Sequence, residues 1–461
     1  MRIAQIIISV ILSYTLYLKY NITTYEALSV FLSSSYILYF VHNLGKKIQI
    51  IEIIGIGACL LWLVMPIFAY HYFNEGNYLA KLWLIYMNVP SDTYYEVVFW
   101  GTVAMIAGLH FPFNKLKILT AREYTERLKL NNQNYSKISK ILLLIGVLSL
   151  VLAPFVPPTL AQVIEIGGNF IFVAAFYAYY SQDRNKYWLV SVVVAIIIGI
   201  SIRGGMFGKL VFISLLAAMI LLAVRELKLS MFRKLTISIV GIFLIIILQS
   251  VKHEFRKNTW SGYAGYTGYT GNKTVLFFDL IGEQLKNPFA IFQDEAQLFA
   301  LTARFNQGWL ISKTISYIPQ QQPFAGPEPL TAAIIGGFIP RFLWPDKPMS
   351  GGVENMWRYA GVKLRAVSMN VSPMGEPYGS FGLPGAWVFM FFFGLFFRWS
   401  FLKILVVAKQ YPTLILWVPS IYVMVVRVES DVLTGFNAFT KSVLMVWIMY
   451  QVFRKVFRIQ L

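Results

Sequence analysis

An all-α polytopic membrane protein is the fold class predicted here, with about twelve transmembrane helices and one large extracytoplasmic loop. Three observations predict it. Hydrophobic residues make up 57% of the 461 positions and charged residues only 13%, with a mean hydropathy of +0.61, far from a soluble chain of this length. The apolar residues gather into runs of membrane-crossing length, and the charges fall between them. A single long interval, 252–380, contains no such run.

In chain order the runs lie at 3–19, 25–43, 48–70, 95–113, 139–156, 159–181, 187–202, 205–224, 235–251, 381–406, 411–427 and 440–455. The first, Ile3–Leu18, has no small-residue cleavage site and leads into further runs, so it is expected to be retained as a helix. Lysine and arginine concentrate in alternate connections: "GKK" (45–47), 114–140, "QDRNK" (182–186), "RELKLSMFRK" (225–234) and the Arg398–Lys409 region. The terminal "RKVFR" (454–458) agrees with them. By the positive-inside rule these connections and both termini face the cytoplasm, and 252–380 faces outward. The organisation expected is nine helices in 1–251, a loop with surface helices in 252–380, and three helices with a basic cytoplasmic tail in 381–461.

Inside the loop, 275–286 and 294–316 show helical spacing of apolar residues, separated by Asn287-Pro288, where proline cannot continue the ladder. The remainder to 380 is rich in proline and glycine and reads as irregular coil over a cavity. The short "GYAGYTGYTG" (262–271) reads either as a disordered tip or as tyrosine faces for sugar rings.

The net charge of +19 does not indicate nucleic acid, because it follows the loop alternation and no RNA- or DNA-reading motif is present. Membrane lipid is the partner it implies. Cys59 is the only cysteine and cannot form an intrachain disulfide. The four histidines are scattered, so no metal site is expected, and no nucleotide-binding or Ser-His-Asp motif occurs.

Candidate residues lie on the outward side. Arg203 opens "RGGMFGK", whose glycines allow close backbone approach to an anion, with Lys209 one to two turns deeper; the alternative is a headgroup anchor. Arg304 sits on a helix of otherwise largely apolar residues and needs an anionic partner, either a carboxylate or a ligand. Arg341, in "IPRFLWPDKP", and Arg427, at the outer end of the eleventh run, are further anion contacts; Asp346 is an alternative mate for Arg341. Arg358 and Arg365 share the loop. Glu376 lies in "GEPYGSFG", read as a tight exposed turn, and is a candidate general base, with Tyr378 beside it as a substrate contact. His253 is the second candidate base. Glu165, inside the sixth run, is expected to face a cavity or a partner.

The layout of spans, the outward loop, "RGG" opening an inner span, "IPRFLWPDKP" and "GEPYGSFGLPGAW" (375–387) resemble the O-antigen repeat-unit polymerases of Wzy type, relatives of the O-antigen ligases in the glycosyltransferase C superfamily. The arginine-x10-glycine pattern of some members is not met at Arg203, where the eleventh residue on is Ser214. The resemblance implies a glycosyltransferase-C-like fold in the bacterial cytoplasmic (inner) membrane. It implies metal-independent, inverting transfer of a growing chain from undecaprenyl diphosphate to another lipid-linked repeat unit, with no cofactor and with a possible chain-length regulator as partner. Arginines would stabilise the departing diphosphate, and a carboxylate or histidine would take the acceptor proton. An O-antigen ligase, a lipid-linked oligosaccharide transporter and a structural subunit of an export complex are the alternatives; a transporter would be expected to show two related halves, and none are visible.

Overall fold

The computed structural model describes residues 2–130, 132–157, 164–205, 207–224, 229–262, 265–339, 341, 343–364 and 368–459, and among them all regular structure is helical. The first part of the chain forms α1 (Arg2–Tyr20), α2 (Thr24–Asn43), α3 (Ile50–His71), α4 (Tyr78–Trp83), α5 (Ser91–Leu109), α6 (Ala121–Leu130), α7 (Tyr135–Leu152), α8 (Phe170–Tyr180), α9 (Lys186–Gly204), α10 (Gly208–Val224) and α11 (Met231–Thr259). The long interval contributes α12 (Lys273–Lys286), α13 (Glu295–Phe305), α14 (Gly308–Tyr317), α15 (Glu328–Phe338) and α16 (Val353–Ala360). The chain closes with α17 (Ser372–Val407), α18 (Leu414–Tyr422) and α19 (Val432–Lys455). Seven helices among the described residues are long and apolar enough to cross a membrane: Ile3–Tyr20, Ile50–His71, Asn132–Phe155, Lys186–Gly204, Met231–Thr259, Ser372–Val407 and Val432–Lys455. This is a membrane protein built on helices.

In an apolar medium every backbone carbonyl needs a donor, and the departures from regular helix show how that is met. α3 passes through a π-helical turn at Cys59–Val64, which frees carbonyls from the regular ladder. Three of them find outside donors. Tyr94 Oη donates to Trp62 O at 2.8 Å, Tyr95 Oη to Leu63 O at 2.7 Å, and the Gln307 N–H to Leu61 O at 3.1 Å. The turn therefore ties α3 to α5 and to the junction just after Arg304. At one end of α2, Thr23 and Glu26 form a capping box, and Glu26 also accepts from His71 (3.1 Å) and Ser91 (2.7 Å), joining α2, α3 and α5.

α5 and α17 cross at van der Waals contact of their backbones. A Cβ on Gly108 would sit 2.1 Å from Phe391 O, and one on Gly394 would sit 2.3 Å from Met105 O. Only the absence of side chains on both helices allows this approach, the close-packing device expected between helices in lipid.

The long interval is more helical than its composition predicts. α12 and α13 appear where the periodicity places them, on either side of Asn287-Pro288, with Asn272 and Asp294 as N-caps. The second predicted helix is interrupted at Asn306 and Gln307 and resumes as α14. The stretch read as irregular coil contains α15 and α16, and α17 begins at Ser372, nine residues ahead of its apolar run at 381–406. Proline placement explains the misreading. Pro329 and Pro373 occupy the first turns of their helices, where a missing N–H costs nothing. Pro384 and Gly382 (φ +73°) do break the ladder of α17, and the orphaned carbonyls of Gly379 and Ser380 accept the N–H groups of Ala325 and Gly326, both at 3.0 Å.

Two further expectations are corrected and a third is met in one of its alternatives. The run 411–427 is helical only over α18 before the chain leaves the ladder at Val423. Within "GYAGYTGYTG", the described residues do not form a loose tip: the N–H groups of Thr267 and Tyr269 donate to Lys257 O and Asn258 O, pinning them to the end of α11. Glu165 is exposed rather than facing a cavity, and it is not without a partner.

Candidate functional site

Between α18 and α19 the chain runs from 423 to 431 in successive turns, and the three charged residues of this segment are Arg427, Glu429 and Asp431. Its β-branched valines, Val423, Val425, Val426 and Val428, favour extended backbone over helix. The segment is buried at most positions and packs between α13 on one side and the start of α17 on the other.

Glu429 is the hub of its first half. Arg304, on α13, reaches it with both terminal nitrogens, Nη1 to Oε2 at 2.6 Å and Nη2 to Oε1 at 3.0 Å. Arg427 Nη2 donates to the same Oε1 at 3.0 Å. Burial alone would raise the Glu429 carboxyl, but the two guanidiniums overcome it and hold the group at about 2. The same pairing keeps Arg304 above its ordinary range in spite of its own burial. One carboxylate thus fixes two guanidiniums and leaves the group with a net positive charge.

Arg304 also lines a cavity of about 90 Å³ against α11, together with Lys252, His253 and Arg256. Among the described residues no carboxylate lines it; the remaining polar walls are Gln249, Ser250 and Gln297. Burial, with the Arg304, Arg256 and Arg427 guanidiniums nearby, pushes the Lys252 ammonium down to about 7 against the opposing Glu429 carboxylate. Arg256 is oriented by two contacts, Nε to Gly205 O at 3.1 Å and its guanidinium 4.0 Å from the Trp260 ring centre. Gly205 has φ +59°, and a Cβ there would meet the Trp260 indole nitrogen at 2.9 Å, so glycine is what lets that carbonyl approach. His253 Nε2 stands 4.0 Å from the Glu254 carboxylate. The volume accommodates a small anion and its waters, not a saccharide.

The second half of the turn segment faces α17. Glu376, only 2% exposed, accepts the Val432 N–H at 2.8 Å, and Asp431 accepts the Thr434 N–H as N-cap of α19. Two carboxylates therefore sit at the positive end of α19. Burial pushes the Asp431 carboxyl up. Nearby, Tyr359 Oη and Ser380 Oγ are 2.8 Å apart, and burial pushes the Tyr359 phenol up to about 12.

The predicted residues thus separate into groups. His253 and Arg304 share one cavity, and Arg427 joins Arg304 through Glu429. Arg203 is exposed in the last turn of α9, two residues before the carbonyl that receives Arg256. The Lys209 side chain and Arg365 lie outside the described residues. Glu376 is not in an exposed turn: it is inside α17, buried and aimed at α19. Tyr378 is buried on the same helical turn, its hydroxyl 3.4 Å from Ile318 O. Arg341 donates to Pro345 O (2.8 Å) and Pro348 O (3.1 Å), stapling its own loop rather than joining the cluster, and Arg358 pairs with Glu354 at 2.7 Å. Arg256 and Glu429 are reactive groups of the outer connections to which the sequence reading assigns no role, and Lys252 is not singled out by it. A signal was present for Glu429, since a carboxylate in an apolar stretch demands a cationic partner.

Residues 48–456 match the model of a family described as a domain of unknown function, DUF8712. The chain belongs to this family. No curated protein and no solved structure shows a significant match.

Proposed function

We propose that the chain polymerises undecaprenyl-diphosphate-linked oligosaccharide repeat units at the outer face of the bacterial cytoplasmic membrane, in a fold of about twelve spans resembling the glycosyltransferase C type. The observation that carries this reading is the cavity formed by Lys252, Arg256 and Arg304 without a lining carboxylate, beside Arg427. A site with excess guanidinium charge favours an anion whose charge grows during reaction, and a departing lipid diphosphate is such a group. The guanidiniums of Arg304 and Arg256 are each held by a second contact, so little reorganisation is needed as charge develops.

His253 lies on the same wall and is assigned as the base that takes the acceptor hydroxyl proton. Glu376, directed at the Val432 N–H, is the second candidate. The donor sugar, too large for the cavity, would lie outside it, with both termini and the basic connections on the cytoplasmic side. The chemistry needs no divalent metal in this reading, because the cations of the chain do the metal's electrostatic work.

Purified chain supplied with lipid-linked repeat units tests the proposal. Polymer on the lipid carrier is expected, and it should persist in excess EDTA. Arg304→Lys keeps charge but loses the planar fork and should lower turnover about tenfold to a hundredfold. Formation of no polymer by a folded chain, or full activity in Arg256→Gln and Arg304→Lys together, would overturn it.

A further inference from the structure

A second and much larger cavity, about 950 Å³, lies at the other end of the helices, between α6, the end of α17, the start of α18 and the end of α19. Lys403 stands about 28 Å along α17 from Pro384, close to the hydrocarbon thickness of a bilayer. Among the described residues three cations line it, Arg127, Lys403 and Arg454, and no carboxylate does. The acids on α6 are engaged elsewhere: Glu123 accepts from Thr120 at 2.6 Å, and Glu126 from Arg122 at 2.9 Å. Arg127 donates to Lys409 O and Arg454 to Gln451 Oε1, both neutral acceptors, while Glu123, one turn before Arg127, acts on it from outside the cavity. The lining also joins apolar side chains, Leu414, Val443, Val446 and Trp447, to the neutral polar Asn134, Thr413 and Gln451. Trp447 remains 59% exposed and Val407 48%, on helices that are long and apolar enough to cross a membrane.

We propose that this cavity binds one anionic phospholipid, its phosphate among Arg127, Lys403 and Arg454 and its chains along the wall that ends at Trp447. Charge complementarity selects the anion. The joined apolar wall selects a lipid over a soluble phosphate, because a free ion would leave that surface uncovered. The basic connections predict that this is the cytoplasmic end, where anionic lipid supplies such headgroups. The site is independent of the proposed transferase chemistry, and its test needs no turnover.

Full-length chain reconstituted in phosphatidylcholine vesicles is titrated with bromine-labelled phosphatidylglycerol or, at equal mole fraction, bromine-labelled phosphatidylcholine. The Trp447 signal is taken as the difference from Trp447→Phe. Stronger quenching by the anionic lipid is expected, with the preference falling about fivefold for each charge removed in Lys403→Gln and Arg454→Gln. Salt should weaken the preference in the unaltered chain, which decides the matter should the variants fail to insert. Sodium phosphate at matched ionic strength should act no differently from sodium chloride. Equal quenching by both lipids, a preference untouched by salt and by charge removal, or specific displacement by free phosphate would each overturn the proposal.

Discussion

Glu429 decides the electrostatics of the turn segment at the level of single residues. Its carboxyl, 13% exposed, is held at about 2 where an ordinary glutamate titrates near 4.5, so the folded state binds the proton more weakly than the unfolded one. The pairing therefore stabilises the fold fully above about pH 4.5, and the stabilisation is lost as pH falls from there toward 2, a span worth about 3 kcal/mol. Thermal melting in detergent between pH 5 and 3 should show this loss in the native chain and not in Glu429→Gln; parallel curves would refute the assignment. At neutral pH, Glu429→Gln leaves Arg304 and Arg427 without their countercharge. Because those side chains are 36% and 27% exposed, the cost is about 2 kcal/mol rather than that of a fully buried pair. Glu376→Gln separates the two candidate bases. If Glu376 serves mainly to hold Val432, the variant melts lower but retains turnover, whereas His253→Ala folds normally and loses about 10²–10⁴ in rate. The opposite pattern would transfer the base role to Glu376.

At the level of elements, glycine and proline set where helices approach and where they break. Gly394→Ala must push a methyl into Met105 O across the α5–α17 crossing, which should cost about 1–3 kcal/mol. Gly199→Ala, in α9 with nothing within 4 Å, serves as the control and should be neutral or slightly stabilising. Equal melting temperatures for the two variants would mean that the crossing is looser than described. At Gly382 an added Cβ meets both a left-handed φ of +73° and the Phe324 ring at 3.1 Å, so Gly382→Ala should also destabilise the start of α17. Periodicity made α12 and α13 legible, because their apolar faces recur at helical spacing. It could not show α15, α16 or the early start of α17, because proline in a first turn and proline in a coil look alike until the partners of the neighbouring carbonyls are known.

For the whole molecule, the predicted orientation is open to a direct test. In a Cys59→Ser background, an impermeant thiol reagent applied to intact cells should modify Thr267→Cys and spare Arg184→Cys until the membrane is opened. Labelling of Arg184→Cys alone would invert the predicted topology and remove the proposed anion site from the outer face. By itself the sequence determined that the chain is helical and membrane-embedded, since long apolar runs leave no other way to satisfy the backbone in lipid. It also determined that Arg304, on a largely apolar helix, must meet an anion. Tertiary structure alone decided which one. Glu429 lies 125 residues away, and the π-helical turn of α3 helps to bring them together by accepting the Gln307 N–H just beyond Arg304. It likewise decided that Glu376 is a buried acceptor for the N-terminus of α19 rather than an exposed turn residue. Local pattern records what a residue requires, and only the packing of distant helices settles which group supplies it.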